Sequence, residues 1–217
     1  MPKQTFFNLE ETKRQKIVDV AIDEFAEHDY RSASISRIVE TAGIAKGSFY
    51  QYFEDKRDLY LYLVQLAGEQ KAAYFNRHEL PDPNMGFFDY LHWAFSIRVH
   101  YEVVHPKLTR IAYNAFYNEV SMLDEVMEIG KRQAAAFSQQ LFARGIAQGD
   151  LAPDLDIELA AFIFDSVVIR LGGYLMERLD IKPQELLEND NFLFNRPEAE
   201  AIFSGVMAIL EQGMGKK

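Results

Sequence analysis

The sequence has no cysteine, one tryptophan and 7 prolines among 217 residues. Without a thiol, a disulfide framework, a thiolate metal site and a cysteine nucleophile are all excluded, a pattern that suits a reducing cytosol. A cytoplasmic location is therefore expected. Basic charge is also scarce, with 23 Lys and Arg against 33 Asp and Glu and a net charge of −10. On its own that balance opposes a nucleic-acid partner, because phosphate neutralisation supplies most non-specific affinity. No long uninterrupted apolar run occurs either. The most apolar stretch, LAAFIFDSVVIRLGGYL at 159–175, is broken by Asp165 and Arg170 and falls short of the roughly 20 residues that span a bilayer. A buried helix is expected there, with no membrane association. The opening MPKQTFFNLEETKRQK lacks the long apolar stretch and small-residue cleavage site of a signal peptide.

Enzyme signatures are missing as well. There is no HExxH, P-loop, GxSxG or Rossmann glycine fingerprint, and the histidines at 28, 78, 92, 100 and 105 never fall at the i, i+4 spacing of a helical metal pair. A non-enzyme with no metal and no cofactor is expected.

What is present is helical periodicity. Apolar residues at 17, 18, 21, 22, 25 and 26 repeat with helical spacing and face away from Lys13, Lys16, Asp23 and Glu27, predicting a helix over about 10–28. Ser34 is placed to cap a short second helix that Gly43 ends. A third short helix follows at once. Asp55 caps a fourth, reaching about Arg77, with Asp58 completing a capping box. Further helices are expected over 85–104, from Pro106 to about Asn118, from a Ser121/Asp124 capping box to about Gln148, from Asp154 or Asp156 to about Leu179, and from Pro197 to about Gln212. No segment alternates with period two. The expected fold is all-α, with a three-helix head over residues 1–54 and a larger helical body over 55–217.

Charge is unevenly spread. Residues 1–60 hold nine basic against eleven acidic residues, which leaves −8 of the net −10 for the rest of the chain. Most of the acidity thus lies outside the head, where Lys13, Arg14 and Lys16, then Lys46, Lys56 and Arg57, form local clusters. On a helical wheel of 46–53, Phe49 and Phe53 make an inward pair. Gly47, Ser48 and Gln51 then point outward, flanked by Tyr50 and Tyr52. A major groove admits such a helix, and short polar side chains reach base edges from its outer face. Gly47 lets the first turn approach the sugar-phosphate backbone closely, Lys46 and Lys56 add charge, and Ser34 a hydroxyl. Arg37 either touches phosphate or pairs with Glu40, and Tyr50 either faces DNA or seals the edge of the core.

Residues 14–63, above all FAEHDYRSASISRIVETAGIAKGSFYQYFEDKRDLY, resemble the DNA-binding head of the TetR family of transcriptional repressors. The resemblance implies DNA contact by Lys46, Gly47, Ser48, Tyr50, Gln51, Tyr52 and Lys56. It also implies a homodimer that binds a double-stranded operator, with the last two helices paired across a two-fold axis and the middle helices enclosing a small-molecule effector. The stretch GIAQGDLAPDLDIELAAF, 145–162, is similar to a weaker family feature ahead of the dimerisation helix. Ala45 departs from the Ser or Thr often found there, which removes an N-cap hydroxyl.

In the body, helix 155–179 is apolar nearly all round, so part of it should meet another subunit. Phe162, Val167 and Leu171, with Ile202, Phe203, Val206 and Leu210, are the expected interface. Helices 85–104 and 106–118 are dense in aromatics, and such stripes either fill a core or line a cavity for an apolar or aromatic ligand. Trp93, Ile97, Tyr101, Arg110, Tyr113, Phe116, Tyr117 and Asp165 are the candidate effector contacts. Asp165 either pairs with Arg98 or Arg110 or meets a cationic group of the effector. The reading that combines these features is a ligand-responsive transcriptional regulator; the rival is a helical carrier or scaffold that does not bind DNA.

Overall fold

The computed structural model describes residues 2–78, 82, 85–115, 138–181 and 196–215. Among these the regular structure is helical, and the β pairing recorded is an isolated bridge between Leu151 and Gly215. The helices are α1 (Gln4–Phe7), α2 (Glu11–Glu27), α3 (Ile35–Ala42), α4 (Lys46–Tyr52), α5 (Lys56–Asn76), α6 (Phe87–Val104), α7 (Pro106–Tyr113), α8 (138–148), α9 (Ile157–Arg178) and α10 (Pro197–Met214). The expected Ser121/Asp124 capping box lies outside the described residues.

Local chemistry sets most boundaries. The Ser34 hydroxyl accepts from the Arg37 amide at 3.4 Å, and Gly43 closes α3 with φ +72°, a left-handed value that disfavours a side chain. Ala45 gives α4 no side-chain cap. Asp55 accepts from the Asp58 amide at 2.8 Å, while the Asp58 carboxylate reaches back one residue further than expected, to the Glu54 amide at 3.0 Å. Asp156 is the residue that caps α9, accepting from the Leu159 amide at 3.1 Å. Pro106 and Pro197 occupy first turns, where a missing N–H costs nothing.

The chain forms two compact units, one from the described residues of Met1–Ala73 and His105–Met127 and the other from those of Tyr74–Val104 and Glu128–Lys217. Compactness therefore divides the chain differently from the expected split after residue 54. In the first unit, Phe6, Phe25, Phe49, Phe53 and Tyr60 are enclosed with Ile17, Ile38, Leu59 and Leu63; each such side chain contributes roughly 1.5–3 kcal/mol by leaving water. α7 is part of this core. Ile111 and Ala115 are fully buried in it, the Ile111 carbonyl accepts from the Tyr60 hydroxyl at 3.3 Å, and Lys107 pairs with Asp23 of α2 at 2.6 Å.

In the second unit, α6, α8, α9 and α10 enclose Phe87, Leu91, Phe95, Phe142, Leu171, Leu175, Phe203 and Leu210. Phe87 meets Phe142, and Phe164 meets both Phe95 and Phe142, with ring centroids 5.3–5.6 Å apart. These rings pack against one another, so this part of the aromatic density is core. Gly145 sits where helix and loop touch: a Cβ there would lie 2.6 Å from the Phe87 ring and 2.7 Å from Leu151. α9 is long and apolar enough to cross a bilayer by length and composition, contrary to the expectation for 159–175. It packs against α6 and α10 instead, with Ala160, Ala161, Leu171 and Leu175 buried in the shared core.

Candidate nucleic-acid interface

Helices α3 and α4 are joined by the turn at Gly43–Ala45 and pack on each other, with Ile38, Val39, Ala42, Phe49 and Phe53 on their inner sides. The outward side of α4 carries Lys46, Gly47, Tyr50 and Gln51, all exposed, with Ser48 half-buried beside them. Tyr50 is 45% exposed and sets its ring edge-on against Phe49. A Cβ added at Gly47 would meet nothing within 4 Å. The glycine is thus not required by packing within the head. Lys46 reaches the Ser36 hydroxyl at 3.3 Å, which keeps its ammonium on the side where α3 and α4 begin.

Three expected contacts are placed differently. Tyr52 is buried, 7% exposed, and lies against Phe6 with centroids 6.2 Å apart. It does not flank the outward face, because α1 covers that side of α4. Lys56 donates to the carbonyls of Arg31 and Ala33 at 3.2 and 2.9 Å and sits 4.8 Å over the Tyr30 ring. Two of its three donors are thereby spent holding the loop before α3. Arg37 pairs with Glu24 of α2, not with Glu40: its Nε lies 3.0 Å from each carboxylate oxygen, and its Nη2 also donates to the Ser32 carbonyl at 2.8 Å.

Glu24 is the polar centre of this corner. It is buried on the inner side of α2 and also accepts from the Ser34 amide at 2.7 Å. Burial pushes its carboxyl up, but the bonds from Arg37 and Ser34 outweigh that and hold it below the ordinary carboxylate value. The same bond raises the Arg37 guanidinium. The N-terminus of α3 is therefore tied to α2 through one carboxylate. A charge at position 24, between the apolar positions 21 and 25, was the available sequence signal, since an inward charge needs a partner.

Of the effector candidates, Arg110 and Tyr113 belong to the first unit, where both are exposed. Trp93, Ile97, Tyr101 and Asp165 belong to the second; Phe116 and Tyr117 lie outside the described residues. Ile97 and Tyr101 are each 3% exposed, and burial, with the adjacent Glu102 charge, pushes the Tyr101 hydroxyl up to about 12. Trp93 borders an open cleft of about 520 Å³ with Asp82, Met85, Asp89 and His92. Asp165 accepts from the Ser138 hydroxyl at 2.9 Å; burial pushes its carboxyl up, partly offset by that bond and the Arg98 charge. Arg98 itself is bonded to Glu102 at 2.7 Å, so the expected direct pair with Asp165 is replaced by a hydroxyl and a more distant charge.

The expected subunit interface also divides. Leu171, Phe203 and Leu210 are 4%, 3% and 5% exposed, turned into the core of their own unit and unable to serve as contact surface. Val167, Ile202 and Val206 are half-buried, and Phe162 is 67% exposed. The free apolar face is instead Leu159, Phe162, Ile163 and Tyr174 of α9, with Ile209 of α10, at 39–71% exposure.

Comparison with known proteins fits this architecture. The family description "Bacterial regulatory proteins, tetR family" matches residues 17–63, and "Tetracyclin repressor-like, C-terminal domain" matches residues 85–215. The chain belongs to the TetR family. A crystal structure of a TetR family transcriptional regulator from Chloroflexus aurantiacus J-10-FL is 44% identical, covers all of both chains and superposes with a TM-score of 0.87. The HTH-type transcriptional repressor AcnR of Corynebacterium glutamicum is 24% identical over 163 residues, 75% of this chain and 79% of that protein. A fatty acid metabolism regulator protein of Bacillus subtilis is 34% identical over 67 residues, which cover 31% of this chain and 33% of that protein. This TetR-family chain is a DNA-binding transcriptional regulator with a helix-turn-helix head.

Proposed function

We propose that the protein is a homodimeric repressor that holds two copies of α4 in successive major grooves of a pseudo-palindromic operator and is released by a small apolar or aromatic effector. The observation that carries the DNA half is the outward face of α4, where Gly47 and Gln51 stand exposed beside Ser48 while Phe49 behind them is fully buried. A helix anchored by one aromatic face and bare on the other suits insertion into a groove. Lys46, Ser48, Tyr50 and Gln51 are the proposed contacts; Ser34, Arg37 and Lys56 act chiefly by holding the head together. The carrier reading, which the net charge of −10 favours, does not account for that bare face.

Two helices with an uncovered apolar face support dimerisation, since two such pairs form a four-helix interface around a two-fold axis. In the body, Asp165 is the polar group we assign to effector recognition, because a carboxylate held by one hydroxyl in an apolar helix has bonding capacity to offer. An effector lowers operator affinity only by binding the two states unequally. Gel shifts on the DNA flanking its own gene, in low salt with purified dimer, test the proposal: a specific shift that weakens with salt is expected, and its absence overturns the repressor reading. Native mass spectrometry of the purified protein identifies any effector carried along.

A further inference from the structure

The recognition helix is held by a segment outside the helix-turn-helix. α4 is only seven residues long, from Lys46 to Tyr52, far below the length at which a helix stands alone in water. Its start has no side-chain cap, and a helix leaves its last four carbonyls without intrahelical partners. Here all four are satisfied. The Phe49 carbonyl accepts from the Phe53 amide at 2.9 Å and the Tyr52 carbonyl from the Lys3 amide at 2.8 Å. The Tyr50 carbonyl accepts from the Lys3 ammonium at 2.9 Å, and the Gln51 carbonyl from the Thr5 hydroxyl. Three of the four donors thus come from Lys3 and Thr5, and the Lys3 ammonium also sits where the helix end is electronegative.

The donors are themselves fixed. Phe6 is fully buried, with its ring centroid 4.8 Å from that of Phe53, 5.6 Å from Tyr62 and 6.2 Å from Tyr52. On the far side of α1, the Phe7 carbonyl accepts from Arg14 of α2 at 3.0 Å. The short helix is therefore wedged between α2 and the end of α4.

We propose that residues 2–7 are a positioning element of the DNA interface: they cap the C-terminal end of α4, and sequence-specific binding requires that cap. This role presupposes the operator binding proposed above. If the last turn of α4 frays, only the fraction of heads with an ordered helix reads bases, and apparent affinity for the specific site falls by that fraction. Attraction of lysines to phosphate does not depend on the last turn, so binding to unrelated DNA persists.

The test uses the full chain and two duplexes of equal length, one selected by the wild-type protein from a random pool and one unrelated. Selection of any duplex establishes the underlying reading separately. Thr5→Val removes one donor at an exposed position without changing charge or shape. It is expected to weaken binding to the selected duplex about five-fold, leave the unrelated duplex within about two-fold, and speed amide exchange over residues 46–53. Adding Lys3→Met should deepen the first effect, and it lowers affinity for both duplexes through the lost charge. If Thr5→Val leaves the ratio of the two affinities unchanged, the proposal is overturned, whether or not the melting temperature moves: a purely structural contact lowers stability without altering that ratio.

Discussion

Glu24 and Arg37 lock the entrance of the helix-turn-helix: both oxygens of the buried carboxylate lie 3.0 Å from the guanidinium Nε, and one also accepts from the Ser34 amide. Arg37→Ala would leave Glu24 with the Ser34 amide as its remaining strong donor, and should cost roughly 1–3 kcal/mol of head stability in denaturant titration. The loss in DNA affinity should follow the loss of folded protein, whereas a phosphate ligand would lower affinity at constant fold.

The same carboxylate predicts a pH dependence. Its folded-state value lies below the ordinary 4.5, so the stabilisation it provides is complete above that value and is lost as pH falls through the lower, folded one. Glu24→Gln should be less stable than wild type at neutral pH and should lose part of the decline below about pH 4.5. Thermal melts between pH 3 and 7, chosen to bracket the range of carboxylate titration, would reveal this; parallel curves for the two proteins would contradict it.

Gly47→Ala separates fold from function. The added Cβ meets no atom within 4 Å, and alanine favours a helix over glycine by up to about 1 kcal/mol. Stability should be unchanged or raised, while operator binding falls by about ten-fold or more through steric exclusion from the sugar-phosphate backbone.

Gln51 and Lys46 should differ in kind. Lys46→Ala is expected to weaken all DNA about equally and reduce the salt slope by about one per head, whereas Gln51→Ala relaxes sequence preference. Affinity measured across salt concentrations and across operator variants distinguishes the two.

The corrected apolar face is tested by a pair of substitutions. Phe162→Glu, at a position 67% exposed, should leave a folded monomer in sedimentation velocity. Leu171→Ala, at a position 4% exposed, should cost about 2–5 kcal/mol of stability with no direct effect on association.

The sequence made the head largely legible because its signals are local. Phe49 and Phe53 lie one turn apart, Ser34 and Gly43 bracket α3, and Asp55 opens α5. The burial of Tyr52 is not legible from a wheel, which knows only its own helix: the ring that covers it, Phe6, arrives from residues whose polar surroundings carry no periodic signal. The helix α9 is legible, with Asp156 as its cap, but which of its sides is free is not. A helix apolar nearly all round has no phase to read, so Leu171 and Phe162 look equivalent until α6, α8 and α10 choose the inner side. The exposed side is as apolar as the buried one, with Leu159, Phe162, Ile163 and Tyr174 standing on it. The Arg37 partner lay 13 positions away in sequence, beyond the reach of i, i+4 reasoning.

The fully buried Ile111 of α7 and Ala115 just after it, which close the core of the first unit, also bear on how such regulators can be recombined. A chimera cut between α4 and α5 would join one protein's reading surface to another's supporting wall, and the socket that Tyr60 and Ile111 form together would be lined by strangers. Transplanting the specificity of this protein should succeed only if residues from both sides of α6 travel together. The exchangeable module is discontinuous, and its boundary in the gene is three cuts rather than one.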